Sequence, residues 1–397
     1  MRYCKGLYAL IGITLLLQAC GYPEPVSTNA PVITNTLQAA VTEPSVPELT
    51  ALPQTSSTEF FSPVPFRVGL GFRAPWLELY FIDPTNPFAQ REIGSVDVLV
   101  AASIIAARES VDVALRFLSL ESITDALITV HRGGVPVRVV AETNNLTNRY
   151  HFSVLQAAGI PVVDDQQVGL MNNTFVVIDH NLVWTGSVDY DIPGAFRKYN
   201  VAVRISSPEV AADYTKEFEE MFTNHQFGRL VAPETPYPSV NIQGTQVEVL
   251  FSPDDFVVAR LSELLSGAQQ SIYFLSYAFA SADLGNVIRE KAAQGITVGG
   301  VLEFDQVDPA LADPNPHQLE ELSLFQQGGL DVRLDGGPEV MNHKIIIIDG
   351  RIVVLGSYDF TARAENDNDE NVLIIHDERV AQKFMEEFQR IQSHARQ

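Results

Sequence analysis

The alternation of apolar and polar positions along this chain runs twice through the same programme. Residues 98–107 are apolar at helical spacing and lead into a β-rich run at 110–115; residues 261–268 and 271–275 repeat that pattern 161 positions later. The next pair keeps the offset: a helical stretch at 122–132 leads to an apolar strand at 134–142, whose counterpart is 295–303. Residues 158–162 then match 328–332 at an offset of 170, and the runs beginning at Asn172 and Asn342 hold that value. A nine-residue insertion within 304–320 of the second copy accounts for the change. Amphipathic helices at 211–222 and 379–391 close the two copies. An offset kept across successive elements marks an internal duplication of about 165 residues. Helices alternating with apolar strands predict an α/β unit in each copy, with a largely parallel or mixed buried sheet.

Each copy carries one dense polar motif. In the second, Asn342-His343-Lys344 is followed by four isoleucines, Asp349, six residues and Gly356-Ser357. The first reads Asn172-Asn173-Thr174, four residues, Asp179, six residues and Gly186-Ser187. Residues 345–348 are expected to form a strand, and 351–355 a second one at hairpin distance. Side chains alternate between the faces of a strand, so Asn342 and Lys344 share a face and His343 points the other way. Glu142 and Glu303 sit at matching strand ends, where α/β proteins place functional groups, so Glu303 is a candidate binding residue.

The N-terminus is organised differently. Arg2 and Lys5 precede an apolar run at 7–17 and then Leu17-Gln18-Ala19-Cys20, the layout of an export signal over 1–20. Ending on Leu-x-Ala-Cys, it resembles a bacterial lipoprotein signal, which implies lipidation at Cys20 and attachment to the bacterial envelope. Residues 21–58 are rich in Pro, Ser, Thr and Ala and read as a flexible tether. No later apolar run reaches the roughly 18 residues that span a bilayer. The two lobes are expected at 59–230 and 247–397, with a proline-marked linker across 228–246.

Charge narrows the partners. Lys plus Arg number 26 against 49 Asp plus Glu, a net charge of −23, which disfavours a long nucleic-acid footprint and a nuclease. His151, His180, His225, His317 and His376 show no ligand spacing, and no phosphate-binding loop or Gly-x-Ser-x-Gly elbow occurs, so neither metal nor cofactor is expected.

The doubled motif resembles that of the phospholipase D superfamily, which carries His-x-Lys, four residues, Asp, six residues, Gly-Ser twice in a duplicated fold. Asn366-Asp367-Asn368-Asp369-Glu370-Asn371 is similar to that family's acidic segment after Gly-Ser, and the resemblance covers roughly 60–395. It implies two α/β lobes with mixed sheets around a central pseudo-twofold cleft, an internal pseudo-dimer within a monomer. It also implies a phosphodiesterase site at Asn172, Thr174, Asp179, Asn342, Lys344 and Asp349, with Ser187, Ser357 and Glu370 beside it. In the family one motif histidine attacks phosphorus, the other protonates the leaving oxygen, and the lysines neutralise phosphate.

Both histidine positions are asparagine here, one lysine position is Thr174, and Asp189 and Asp359 stand where the family has asparagine. Glu370, which in the family can pair with a motif histidine, has none to hold, and Tyr199 is read as its counterpart. An amide is not basic near neutral pH and is a poor nucleophile. The residues therefore favour lost or attenuated catalysis, with Lys344, Asn172, Asn342, Thr174, Ser187 and Ser357 left to hydrogen-bond a phosphate-bearing ligand or phospholipid, or with a protein partner. The alternative is an active phosphodiesterase on phospholipid head groups, using an unorthodox nucleophile. His343, pointing away from Lys344, is expected to be a buried structural histidine.

Overall fold

The computed structural model describes residues 60–396, apart from 144–148, 167–168, 229–233 and 308–314. The segments read as export signal, lipidation site and tether lie outside the described residues, as does most of the second-copy insertion.

In the first lobe the strands are β1 (Ser62–Val64), β2 (Gly69–Arg73), β3 (Leu77–Ile82), β4 (Val111–Leu115), β5 (Val137–Ala141), β6 (Val162–Asp164), β7 (Thr174–Ile178), β8 (Leu182–Gly186) and β9 (Lys198–Ser206). They lie in the order β1-β2-β3-β9-β8-β7-β4-β5-β6. The second lobe has β10 (Ser239–Ile242), β11 (Thr245–Ser252), β12 (Ser271–Ser276), β13 (Thr297–Leu302), β14 (Asp331–Leu334), β15 (Val340–Met341), β16 (Lys344–Ile348), β17 (Ile352–Gly356) and β18 (Glu370–His376). Its sheet runs β10-β11-β18-β17-β16-β12-β13-β14. Both sheets are mixed: β4–β5–β6 and β12–β13–β14 are parallel, whereas each motif strand pairs antiparallel with its neighbours.

The helices are α1 (Val96–Ile105), α2 (Glu121–Arg132), α3 (Arg149–Ala157), α4 (Pro208–Phe222), α5 (Val257–Ser266), α6 (Ala282–Ala293), α7 (Pro316–Gln327), the short α8 (Ala362–Asn366) and α9 (Glu378–Gln392). Burial follows the strand period. Ile345 and Ile347 face a central core shared by both lobes with α4 and α9, while Ile346 and Ile348 face an outer core under α5 and α6. Phe175 and Val177, against Val176 and Ile178, divide in the same way in the first lobe. A strand buried on both faces has no polar alternation, which is why the isoleucine run is continuous.

The registers refine the duplication. Gly186 pairs with Ala202 and Gly356 with Val372, and α4 and α9 keep the 170-residue offset from end to end. The counterpart of Glu370 is therefore Asn200; Tyr199 corresponds to Asp369. The expectation was one residue out because nothing in these two dissimilar stretches fixes the strand register. The stretch 228–246 is also more than a linker: β10 and the start of β11 form a hairpin at the edge of the second sheet. Proline density hid the short alternation of Ser239, Val240, Asn241 and Ile242.

The lobes exchange hydrogen bonds where the motifs begin. β15, although it belongs to the second copy, pairs parallel with Lys198 and Tyr199 of β9. The equivalent bridge joins Met171 to Asp369. The Asn342 amide donates to Tyr199 O at 2.9 Å, and the Asn172 amide to Asp369 O at 2.9 Å. Each motif asparagine is thus held by the opposite lobe.

Candidate active site

The two motifs meet in a cleft of about 180 Å³ lined by Asn172, Thr174, Gly186, Ser187 and Asp189 from the first copy and Asn342, Lys344, Ser357 and Asp359 from the second, with Arg116, Phe117, Lys198 and Tyr277. Larger hollows of about 430 and 860 Å³ lie elsewhere; of the motif residues, Asp179 alone lines either one.

Each asparagine is engaged at both its side-chain oxygen and its side-chain nitrogen. Asn342 Nδ2 donates to Ser187 O and to Asn200 Oδ1, both at 2.9 Å, and its Oδ1 accepts from Lys344 Nζ at 3.0 Å. Asn172 Nδ2 donates to Ser357 O at 3.3 Å, and its Oδ1 accepts from Arg116 Nη1 at 2.8 Å. These side chains bind the two copies together across the pseudo-twofold. The serine hydroxyls are occupied as well. Ser187 Oγ donates to Asn200 Oδ1 at 2.8 Å and accepts from the Val201 amide, and Ser357 Oγ accepts from the Asn371 amide and side chain. The glycine before each serine is needed for close approach: a Cβ on Gly356, at φ +151°, would lie 2.1 Å from Asn371 O.

Lys344 Nζ sits 3.3 Å from Asp359 Oδ1, an ion-pair contact off hydrogen-bond alignment, and 5.1 Å from the centre of the Tyr277 ring. Burial pushes the Asp359 carboxyl up; Lys344 and Arg116 pull it down, and Asp189 across the cleft pushes it up again. Asp189 lies 3.8 Å from Lys198 Nζ. The cleft therefore gathers three basic side chains and two carboxylates, with Asp359 set against Lys344 and Asp189 against Lys198.

Several residues expected at the site lie outside its lining. Asp179 and Asp349 stand at the far ends of β7 and β16. Each accepts three backbone amides, those of Arg108, Glu109 and Ser110 or of Gln269, Gln270 and Ser271, at 2.7–3.0 Å. Burial alone would raise these carboxyls, but the amides and the nearby Arg108 and Arg351 charges outweigh it and hold both below the usual range. They fix the turn into the adjoining strand. Glu303 accepts from the Met341 amide at 2.6 Å and Glu142 from the Met171 amide at 2.8 Å, so both brace the segments leading into the motifs. Glu370 is buried behind the cleft, taking the Asp359 amide and Asn368 Nδ2, and burial followed by Asp359 raises its carboxyl. His343 is fully buried with Nε2 2.7 Å from Glu387 Oε1 on α9, as strand alternation requires. Burial lowers it despite Glu387.

Sequence reasoning missed Arg116, Lys198, Tyr277 and Asn200. Arg116 directly follows β4, where the strand-end rule that singled out the two glutamates applies equally. No local signal marks the others.

The chain belongs to the phospholipase D superfamily. Residues 100–222 and 261–392 match the family described as "Cardiolipin synthase, PLD-like domain", once in each lobe. The chain is 34% identical over 134 residues to the mitochondrial cardiolipin hydrolase of Homo sapiens, covering 34% of this chain and 50% of that protein. It is 28% identical over 150 residues to a phospholipase D of Rickettsia conorii, covering 38% of this chain and 71% of that one. The chain thus spans about half the length of the cardiolipin hydrolase it matches. The crystal structure of a phosphatidylserine synthase from Haemophilus influenzae superposes with a TM-score of 0.62 at 15% identity, over 84% of this chain and 88% of that one, a likeness of fold.

Proposed function

We propose that this chain is an exported, lipid-anchored member of the superfamily whose phosphodiesterase chemistry is lost or strongly attenuated, and whose cleft binds a phosphate-bearing ligand. One observation carries the reading. Both motif-histidine positions hold asparagines whose amides are committed to Ser187, Asn200, Ser357 and Arg116, leaving neither a nucleophilic nor a proton-donating imidazole in the cleft. Lys344 and Arg116 supply the attraction for phosphate that remains. The carboxylates beside them, with the net charge of −23, weigh against extended nucleic acid. Export and anchoring rest on the 1–20 layout and Cys20.

The test is turnover of bis(p-nitrophenyl) phosphate, phosphatidylcholine and cardiolipin by the mature chain, with Lys344→Ala in parallel. No turnover above background is expected, together with phosphate binding that Lys344→Ala removes. Turnover that depends on Lys344 would sink the proposal. Metabolic labelling with a radioactive fatty acid, lost in Cys20→Ser, tests the anchor.

A second reading, an active phosphodiesterase, draws on the hydrolase names of the relatives and on Asp359, whose carboxylate beside Lys344 is an oxygen nucleophile. Under it, Asp359→Asn abolishes turnover.

A further inference from the structure

The two halves of the seam between the lobes carry different charges. In the second half, the buried Glu387 accepts from His343 and from both Nε and Nη2 of Arg390, at 2.6–2.8 Å. Arg390 reaches on to Asp83 at 3.8 Å and covers the Tyr199 ring at 4.9 Å. A guanidinium is thus the cation of that half.

The 170-residue offset gives each of these a counterpart in the first half: Asn173 for His343, Glu217 for Glu387, Asp369 for Tyr199 and Glu220 for Arg390. Asn173 Nδ2 keeps the hydrogen bond to Glu217 Oε1 at 2.8 Å. The guanidinium, however, is replaced by another carboxylate. Asp254, on the connection between β11 and α5, adds a third. One oxygen from each of Glu217, Glu220 and Asp254 lies within 4.8 Å of the others, and all three residues are buried. Asp254 is 8% exposed, and its carboxylate has no side-chain hydrogen bond or ion pair among the described residues, although it points at the two glutamates. Among the described residues, Lys216, 3.1 Å from Glu220 and half-turned to solvent toward Glu234, is the one cation paired with the group.

We propose that Glu217, Glu220 and Asp254 bind a divalent cation, calcium by the number and burial of the carboxylates, in the place that Arg390 fills in the other half. An all-carboxylate oxygen set selects a hard cation. Magnesium dehydrates reluctantly, keeps several waters and is bound through one or two carboxylates, whereas calcium takes a fuller set of carboxylate oxygens. Glu217 and Glu220 are three residues apart on α4, so one helix face presents both. The ion would join α4 of the first lobe to the second, beside Asp369, whose carbonyl holds the Asn172 amide.

The experiment is isothermal titration of the chelator-treated full chain with CaCl₂ and, separately, MgCl₂ at pH 7.5, with thermal melts in calcium and in EDTA. One calcium per chain and a melting temperature several degrees higher than in EDTA are expected. Glu220→Arg restores the charge of Arg390 and should abolish both effects. Asp254→Asn, nearly isosteric, should weaken calcium at least tenfold even if the arginine variant fails to fold. Identical melts with no heat of binding would overturn the proposal, as would Glu220→Arg that still binds calcium. Tighter magnesium would overturn the choice of ion.

Discussion

Asn342 donates its side-chain amide to Asn200 at 2.9 Å, and these two residues occupy the positions of a motif histidine and of the acidic residue that in the second copy is Glu370. An asparagine pair stands where the family's pattern puts an imidazole and a carboxylate, and its hydrogen bond joins the lobes. A neutral amide acceptor would not hold a restored imidazole in one tautomer or stabilise its charged form as a carboxylate does. Asn172→His, Thr174→Lys and Asn342→His should therefore raise phosphodiester turnover only modestly. Adding Asn200→Glu should raise it further, with general acid–base chemistry worth roughly 10²–10⁴-fold in total. Hydrolysis of bis(p-nitrophenyl) phosphate across the series checks this. A fourth substitution without effect would show that Asn200 is not the missing orienting group.

Under the proposed phosphate-binding role, the contact between Lys344 and Asp359 should set the affinity. A carboxylate 3.3 Å from the ammonium competes with any anionic ligand. Asp359→Asn should tighten binding of inorganic phosphate by about tenfold, an order-of-magnitude electrostatic gain in a partly desolvated cleft. Lys344→Ala should abolish binding. Calorimetry on the two variants decides, and weaker binding by Asp359→Asn would mean that Asp359 itself holds the ligand.

The duplication, the two motif strands and the inward direction of Asn342 and Lys344 were legible because each is encoded within a few residues, by strand period and repeated spacing. Long-range facts were not. Asp179 and Asn172 belong to one motif, but five residues of extended strand separate them, so one lines the cleft and the other caps a turn. Glu303 and Glu142 were rightly placed at strand ends, yet their carboxylates turn to the amides of Met341 and Met171. The convergence of Glu217 with Asp254 crosses two lobes and a hairpin that looked like linker.

The caps at Asp179 and Asp349 predict a separation of stability from binding. Each carboxylate accepts three backbone amides. Asp349→Ala should lower stability by about 1–2 kcal/mol, less than for a buried cap because water reaches the released Gln269 and Gln270 amides. Phosphate affinity should be unchanged. Urea melts and calorimetry on the folded variant check both, and a stable variant with impaired binding would instead return Asp349 to the site.

Glu248 on β11 predicts how the second lobe responds to acid. Its carboxylate takes both Nε and Nη2 of Arg260 at 2.8 Å and lies 2.6 Å from His376 Nε2. Burial alone would raise it, but His376 and Arg260 outweigh that and lower it to about 2. A carboxyl lowered on folding adds stability that is complete above its unfolded value, near 4.5, and is lost as the pH falls toward 2. At about 1.4 kcal/mol per pH unit, the loss over that window is at most about 3 kcal/mol. Glu248→Gln should be less stable at pH 7, with the difference from the parent shrinking to near zero by pH 2. Urea unfolding at successive pH values between 7 and 2 measures that difference directly. A constant difference across the range would show that the ionised form of Glu248 contributes nothing specific.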